Sequence, residues 1–138
     1  NDELYRNVAK AVGLSDCAFW ILYFLRESGG EPDCGLTQSG ICSAIYAPKQ
    51  TVNSSMKKLE EDGIIELAEG ADKRSKLVRL TQKGTVLAGR TVDQVLAAEQ
   101  RAMGGMAAEE QAAFLGLFRR YTDLLKKEIG VLINDESK

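Results

Sequence analysis

Leu59-Glu60-Glu61-Asp62-Gly63-Ile64-Ile65 is followed by Asp72-Lys73-Arg74-Ser75-Lys76 and then by Leu80-Thr81-Gln82-Lys83-Gly84. In the first segment an amphipathic helix stops at a glycine and turns into a β-branched pair, the start of a short strand. In the second the chain reaches a charged loop tip. In the third a returning strand runs into threonine, a favoured N-cap, and a new helix begins. Helix, strand, basic loop, strand and helix in that order make a wing.

Upstream of the wing lie two shorter helices. Thr37 caps one expected over about 38–46, with Ile41, Cys42 and Ile45 on its buried face. Ala47-Pro48 makes the turn, and proline is preorganised for the first helical position. The second helix, about 48–62, has Val52, Met56 and Leu59 on one stripe and Lys49, Gln50, Asn53, Ser54, Lys57 and Lys58 on the other face. Two short helices joined by a tight turn, the second polar outside, form a helix-turn-helix. The expected fold class is therefore mainly α with a small two- or three-stranded antiparallel wing: a winged helix-turn-helix.

A polar helical face is most often merely solvated. Here its composition argues for more. Gln, Asn, Ser and Lys suit base edges and phosphates, and the acids are held back to Glu60, Glu61 and Asp62 at the far end. Lys49, Gln50, Thr51, Asn53, Ser54 and Lys57 are the candidate DNA-binding residues of this helix. In the wing the candidates are Lys73, Arg74 and Lys76, with Arg74 suited to a narrow minor groove and the lysines to flanking phosphates. The plain alternative is a solvated hairpin tip, less apt directly after a helix-turn-helix.

Outside this core the pattern is helical. Residues 2–13 carry Leu4, Val8 and Val12 at spacings of four. Ser15 caps a helix of about 16–28 that is apolar almost all round and so expected to be buried on several sides. Trp20 and Tyr23 on it read as core packing or as the wall of a pocket for a small aromatic effector. A long helix is expected over about 82–103, with Ala88, Val92, Val95 and Leu96 as its stripe. A last one, about 107–133, carries Phe114, Leu117, Phe118, Tyr121, Leu124, Leu125, Ile129 and Leu132. A winged-helix core of modest size cannot bury that stripe as well, so a homodimer joined through both chain ends is expected.

Composition narrows the function. The chain has 138 residues, 44% hydrophobic and 28% charged, the balance of a globular domain. Its net charge of −2 excludes bulk electrostatic coating of nucleic acid and leaves focused basic patches. No apolar run approaches the ~20 residues that span a bilayer, and Asn1-Asp2-Glu3 lacks the basic region of a signal peptide. The expected location is cytoplasmic, with no membrane partner. Three cysteines (Cys17, Cys34, Cys42) and no histidine, with no C-x-x-C pair, argue against a structural metal site. Cys17 and Cys42 read as buried small hydrophobes and Cys34 as exposed in a polar loop. No nucleophile elbow, phosphate loop or paired carboxylates are visible, so neither an enzyme nor a cofactor is expected.

These segments together resemble the MarR family of bacterial transcriptional regulators. The resemblance runs from about Leu36 to Gly84 through Leu36-Thr37-Gln38, Gln50-Thr51-Val52, Leu59-Glu60-x-x-Gly63-Ile64-Ile65, Asp72-x-Arg74 and Leu80-Thr81-x-x-Gly84. It implies an α-helical dimer in which residues 1–13 and 104–138 join the protomers. Residues 15–103 would form the winged lobe and linking helix, with the DNA-binding core at 36–84. It also implies that Asp72 orients Arg74, and that a small aromatic effector releases a repressor from a palindromic operator. Some members sense oxidants through a cysteine near the N-terminus, for which Cys17 is the nearest position. A winged helix turned to protein contacts, without a specific operator, is the competing expectation.

Overall fold

The computed structural model describes residues 2–28, 36–69 and 76–136. Asp72, Lys73, Arg74 and Cys34 lie outside the described residues. The chain forms two compact units, Asn1–Ala98 and Glu99–Lys138. Among the described residues the elements run α1 (Asp2–Ala11), α2 (Asp16–Ser28), β1 (Leu36–Thr37), α3 (Gln38–Ala44), α4 (Lys49–Glu61), β2 (Ile65–Glu69) and β3 (Lys76–Leu80). They continue with α5 (Gln82–Arg90), α6 (Val92–Gly104) and α7 (Ala108–Glu136). No single helix among them is long and apolar enough to cross a membrane.

In the first unit α2 is the central post. Its amide of Ala18 donates to Ser15 Oγ at 3.2 Å, the expected N-cap. Phe19, Ile21 and Leu22 are fully buried, and Ile41, Val52, Ile65, Val78 and Val92 converge on them from α3, α4, the sheet and α6. Burial around the whole circumference explains why α2 shows no polar stripe. The first helix packs here through Tyr5, Val8 and Ala9, followed by Val12 in the turn after it, while Leu4 stays exposed.

The sheet is antiparallel in the order β1-β3-β2. Ile65 pairs with Leu80 at one end of the wing and Glu69 with Lys76 at the other. Leu36 pairs with Val78, so the segment before α3 supplies a third strand. Val78 is buried at the middle of β3, while Lys76, two residues earlier on the same face, is exposed at the loop end of the strand.

The wing is tied to α4 at one junction. The helix ends in a Schellman motif: Gly63 N–H donates to Glu60 O at 3.0 Å and Ile64 N–H to Leu59 O at 2.9 Å. Gly63 takes φ +74°, the left-handed conformation that favours glycine. Thr81 then closes the loop. Its N–H donates to Ile64 O at 3.1 Å, and its hydroxyl donates to Gly63 O while accepting from Gly84 N–H at 3.0 Å. A Cβ on Gly84 would collide with the Ile64 carbonyl. The two separate sequence segments are thus one structural knot.

One expectation is corrected. The helix over about 82–103 is not continuous. It breaks at Thr91, whose backbone sits at φ −124°, ψ −90°. Thr91 is buried, and its hydroxyl donates to Leu87 O at 2.8 Å, closing off α5. At the start of α6, Asp93 lies in the first turn, where a carboxylate complements the helix dipole. It takes a two-pronged ion pair from Arg26 of α2, Nε to Oδ1 and Nη2 to Oδ2, both at 2.8 Å. These hydrogen bonds, opposed by partial burial and aided by the carboxylate's charge, raise the Arg26 pKa above its ordinary value. Gly89 near the end of α5 makes the break cheaper.

The second unit is dominated by α7. Glu110 reaches back to accept from Ala107 N–H at 2.8 Å, half of a capping box. Phe114 and Phe118 stack at 6.2 Å. Phe114, Leu117, Phe118, Tyr121, Leu124 and Leu132 all stand exposed.

Candidate nucleic-acid interface

The site is built on α4. Val52, Met56 and Leu59 face the core, which turns the opposite side outward. Lys49, Gln50, Asn53, Ser54 and Lys57 line a shallow concave strip there. Their helical spacing puts them on consecutive turns of one face. Thr51 is exposed but lies off the strip. Its carbonyl is the acceptor for Cys17 Sγ on α2, at 4.0 Å. Pro48 sits one place earlier than expected, at the N-cap, with φ −57° and ψ 139°. It offers no side-chain cap, and the first turn carries no acid. The free amides and positive dipole end there are suited to an anion.

Asn53 differs from its neighbours on the strip in being half-buried and held. Gln38 Nε2 donates to its Oδ1 at 3.3 Å, and Cys42 Sγ donates to the same oxygen at 3.6 Å. Both partners come from α3, whose first turn is fixed by Thr37 accepting from Gly40 N–H at 3.0 Å. No described residue accepts from Asn53 Nδ2. Cys42 is accordingly half-buried, not fully buried as its apolar face predicts, whereas Cys17 is buried. Neither of the two is in a disulfide.

Two features of the elements before α4 escaped the sequence. Gln38 belongs to a different helix from Asn53, and no periodicity links them. Tyr46, in the turn before Pro48, is fully exposed. An aromatic between a buried isoleucine and an alanine-proline turn reads equally well as core. Trp20 and Tyr23 sit in a cluster with Tyr5, Phe19 and Phe24, ring centroids 5.2 to 6.5 Å apart. Tyr23 is buried within it, and Trp20 keeps part of its surface. Lys76 is exposed at the loop end of the wing, where it pairs with Glu69.

A sequence profile described as "MarR family" matches residues 12–75. The HTH-type transcriptional regulator YwoH of Bacillus subtilis (strain 168), itself described as uncharacterized, is 32% identical over 109 residues. The match covers 79% of this chain and 76% of that protein. The chain belongs to the MarR family. It is a winged helix-turn-helix, DNA-binding transcriptional regulator, and not an enzyme. Solved MarR-family structures share the fold. NMB1585, a MarR family regulator from Neisseria meningitidis, superposes with a TM-score of 0.72 at 23% identity, over 94% of this chain and 87% of that one. MepR of S. aureus, solved in complex with DNA, superposes with a TM-score of 0.64 at 20% identity, over 90% and 91%. At such identities the likeness speaks for the architecture alone. The MarR-family motif residues of this chain sit where the architecture needs them: Thr37 at the cap of α3, Gly63 at the end of α4, Thr81 and Gly84 at the knot below the wing.

Proposed function

We propose that this protein is a homodimeric repressor that acts in the cytoplasm on a palindromic operator. The outer strip of α4 carries the reading. It holds two lysines and three hydrogen-bonding side chains, no acid and no large apolar group. An α-helix with that face fits a major groove. Gln50, Asn53 and Ser54 address base edges, and Lys49 and Lys57 address phosphates. Lys73, Arg74 and Lys76 carry the wing into the adjoining minor groove, with Asp72 orienting Arg74. Residues 36–84 are the DNA-binding core.

The partner surface is α7, with residues 1–13 completing it. An amphipathic helix of 29 residues with an exposed row of phenylalanine, leucine and tyrosine needs a cover, and a second copy supplies one of matching chemistry. Two α4 helices on a twofold axis then address half-sites about one helical turn, ~34–36 Å, apart. A small aromatic effector would enter beside Trp20 and Tyr23 and lower affinity for DNA.

The test is fluorescence anisotropy with a labelled duplex from upstream of the protein's own gene, against a scrambled duplex, at two salt concentrations. Tight binding to the native duplex alone is expected, falling by about 10³ between ~50 and ~200 mM salt if six or more phosphates are contacted. Equal, weak binding to both duplexes would contradict an autoregulatory operator and favour a winged helix devoted to protein contacts.

A further inference from the structure

The three hydrogen-bonding side chains on the α4 strip are not equivalent. Gln50 and Ser54 are exposed, and no described residue bonds to their side chains. Asn53 alone is gripped from behind, and by two donors at one atom. An amide has one oxygen that accepts and one nitrogen that donates. When Gln38 Nε2 and Cys42 Sγ–H both point at Oδ1, rotating the amide by half a turn would set Nδ2–H against two donors. This arrangement turns the oxygen toward α3 and leaves the nitrogen for the strip.

We propose that Gln38 is a specificity-positioning residue: it holds Asn53 so that Asn53 reads DNA as a donor only. The inference rests on α4 being the recognition helix. Its consequence concerns base choice. A free asparagine reads adenine with two bonds, Oδ1 accepting from N6–H and Nδ2 donating to N7. That pairing needs the oxygen, which is already engaged. A donor-only amide is matched instead by an edge that presents acceptors, and guanine presents two side by side, N7 and O6. At the base pair facing Asn53 the protein selects guanine over adenine. Cys42 is the second holder, weaker because a thiol is a poor donor.

A randomised duplex pool, selected with full-length protein and sequenced, tests this directly. Parent, Asn53→Ala, Gln38→Ala and Gln38→Glu are compared, with Trp20 fluorescence as the check on folding. In the parent one position per half-site prefers guanine, and Asn53→Ala flattens that preference about tenfold at that position alone. Gln38→Ala frees the amide, so adenine becomes acceptable there. Gln38→Glu replaces a donor by an acceptor that holds Nδ2 instead. The exposed oxygen then favours bases with donors, adenine or cytosine. A merely structural role for Gln38 would lower affinity for every duplex and leave the preferred base unchanged.

Unchanged base preference in both Gln38 variants, with the parent still selective, overturns the inference and leaves the recognition helix standing. So does an Asn53→Ala variant that weakens all duplexes equally, which would make Asn53 a phosphate contact. A parent that selects no sequence at all overturns the operator-binding function, and this inference with it.

Discussion

The hydroxyl of Thr81 donates to the carbonyl of Gly63, across 18 positions of sequence, and so locks the end of α4 to the start of α5. The same oxygen caps α5 by accepting from Gly84 N–H. One side chain thereby fixes both the exit angle of the recognition helix and the root of the wing. Thr81→Val keeps the shape and removes both bonds. It is expected to lower unfolding stability by about 1–2 kcal/mol, the range of a lost N-cap. Gly84→Ala is expected to cost about 1–3 kcal/mol, because its Cβ meets the Ile64 carbonyl and the backbone must move. Urea denaturation read by the single tryptophan, Trp20, measures both.

The break at Thr91 makes the ion pair of Arg26 and Asp93 the clasp between α2 and the start of α6. Each side chain is about one-third exposed, at 32% and 28%, so solvent screens part of the attraction. Two parallel hydrogen bonds still give it more than a simple surface pair. Asp93→Asn is expected to cost about 1–2 kcal/mol of stability. Arg26→Gln added to it should cost little more, since the interaction is already gone. Additive losses in that double-mutant cycle would show that the clasp carries no coupling.

Arg74→Ala separates DNA binding from folding. Its position in the wing follows from the sequence and from the paired wing strands that precede and follow it. Operator affinity is expected to fall at least tenfold, with the unfolding midpoint unchanged. An Arg74→Ala variant that binds as tightly as the parent would remove the wing from the interface.

The exposed face of α7 predicts how the oligomer breaks. Phe118→Lys places a charge in the middle of the apolar row. Sedimentation velocity is expected to show a dimer for the parent and a monomer for this variant at micromolar concentration. Trp20 packs against Tyr5 of α1, a segment the dimer also uses, so far-UV circular dichroism is the check that the variant stays folded. A parent that sediments as a monomer would leave the row uncovered and the dimer refuted.

Much of this architecture was legible because local chemistry and tertiary role coincide. Thr37, Ser15 and Thr81 cap the helices they precede, and Gly63 stops the helix it follows, so each could be read from its neighbours alone. The break at Thr91 was not legible. Its apolar spacing continues through Ala88 and Val92, and what bends the helix there involves Arg26, 67 positions from Asp93. The outer face of α4 was readable as a set, because helical spacing defines it. The distinction within that set was not. Gln38 and Asn53 are 15 positions apart on two helices, and only their packing shows that one holds the other. Thr51, named with Gln50 and Val52 in the motif, is exposed beside the strip and not among the residues that line it.

A hydroxyl-radical footprint of the parent protein on a duplex selected from a random pool tests the central claim most directly. Two protected patches of equal extent, related by a twofold axis and centred about one helical turn apart (~34–36 Å), are the predicted result. A single patch, or uniform protection that moves with the ends of the duplex, would contradict a dimer presenting two α4 helices to one operator.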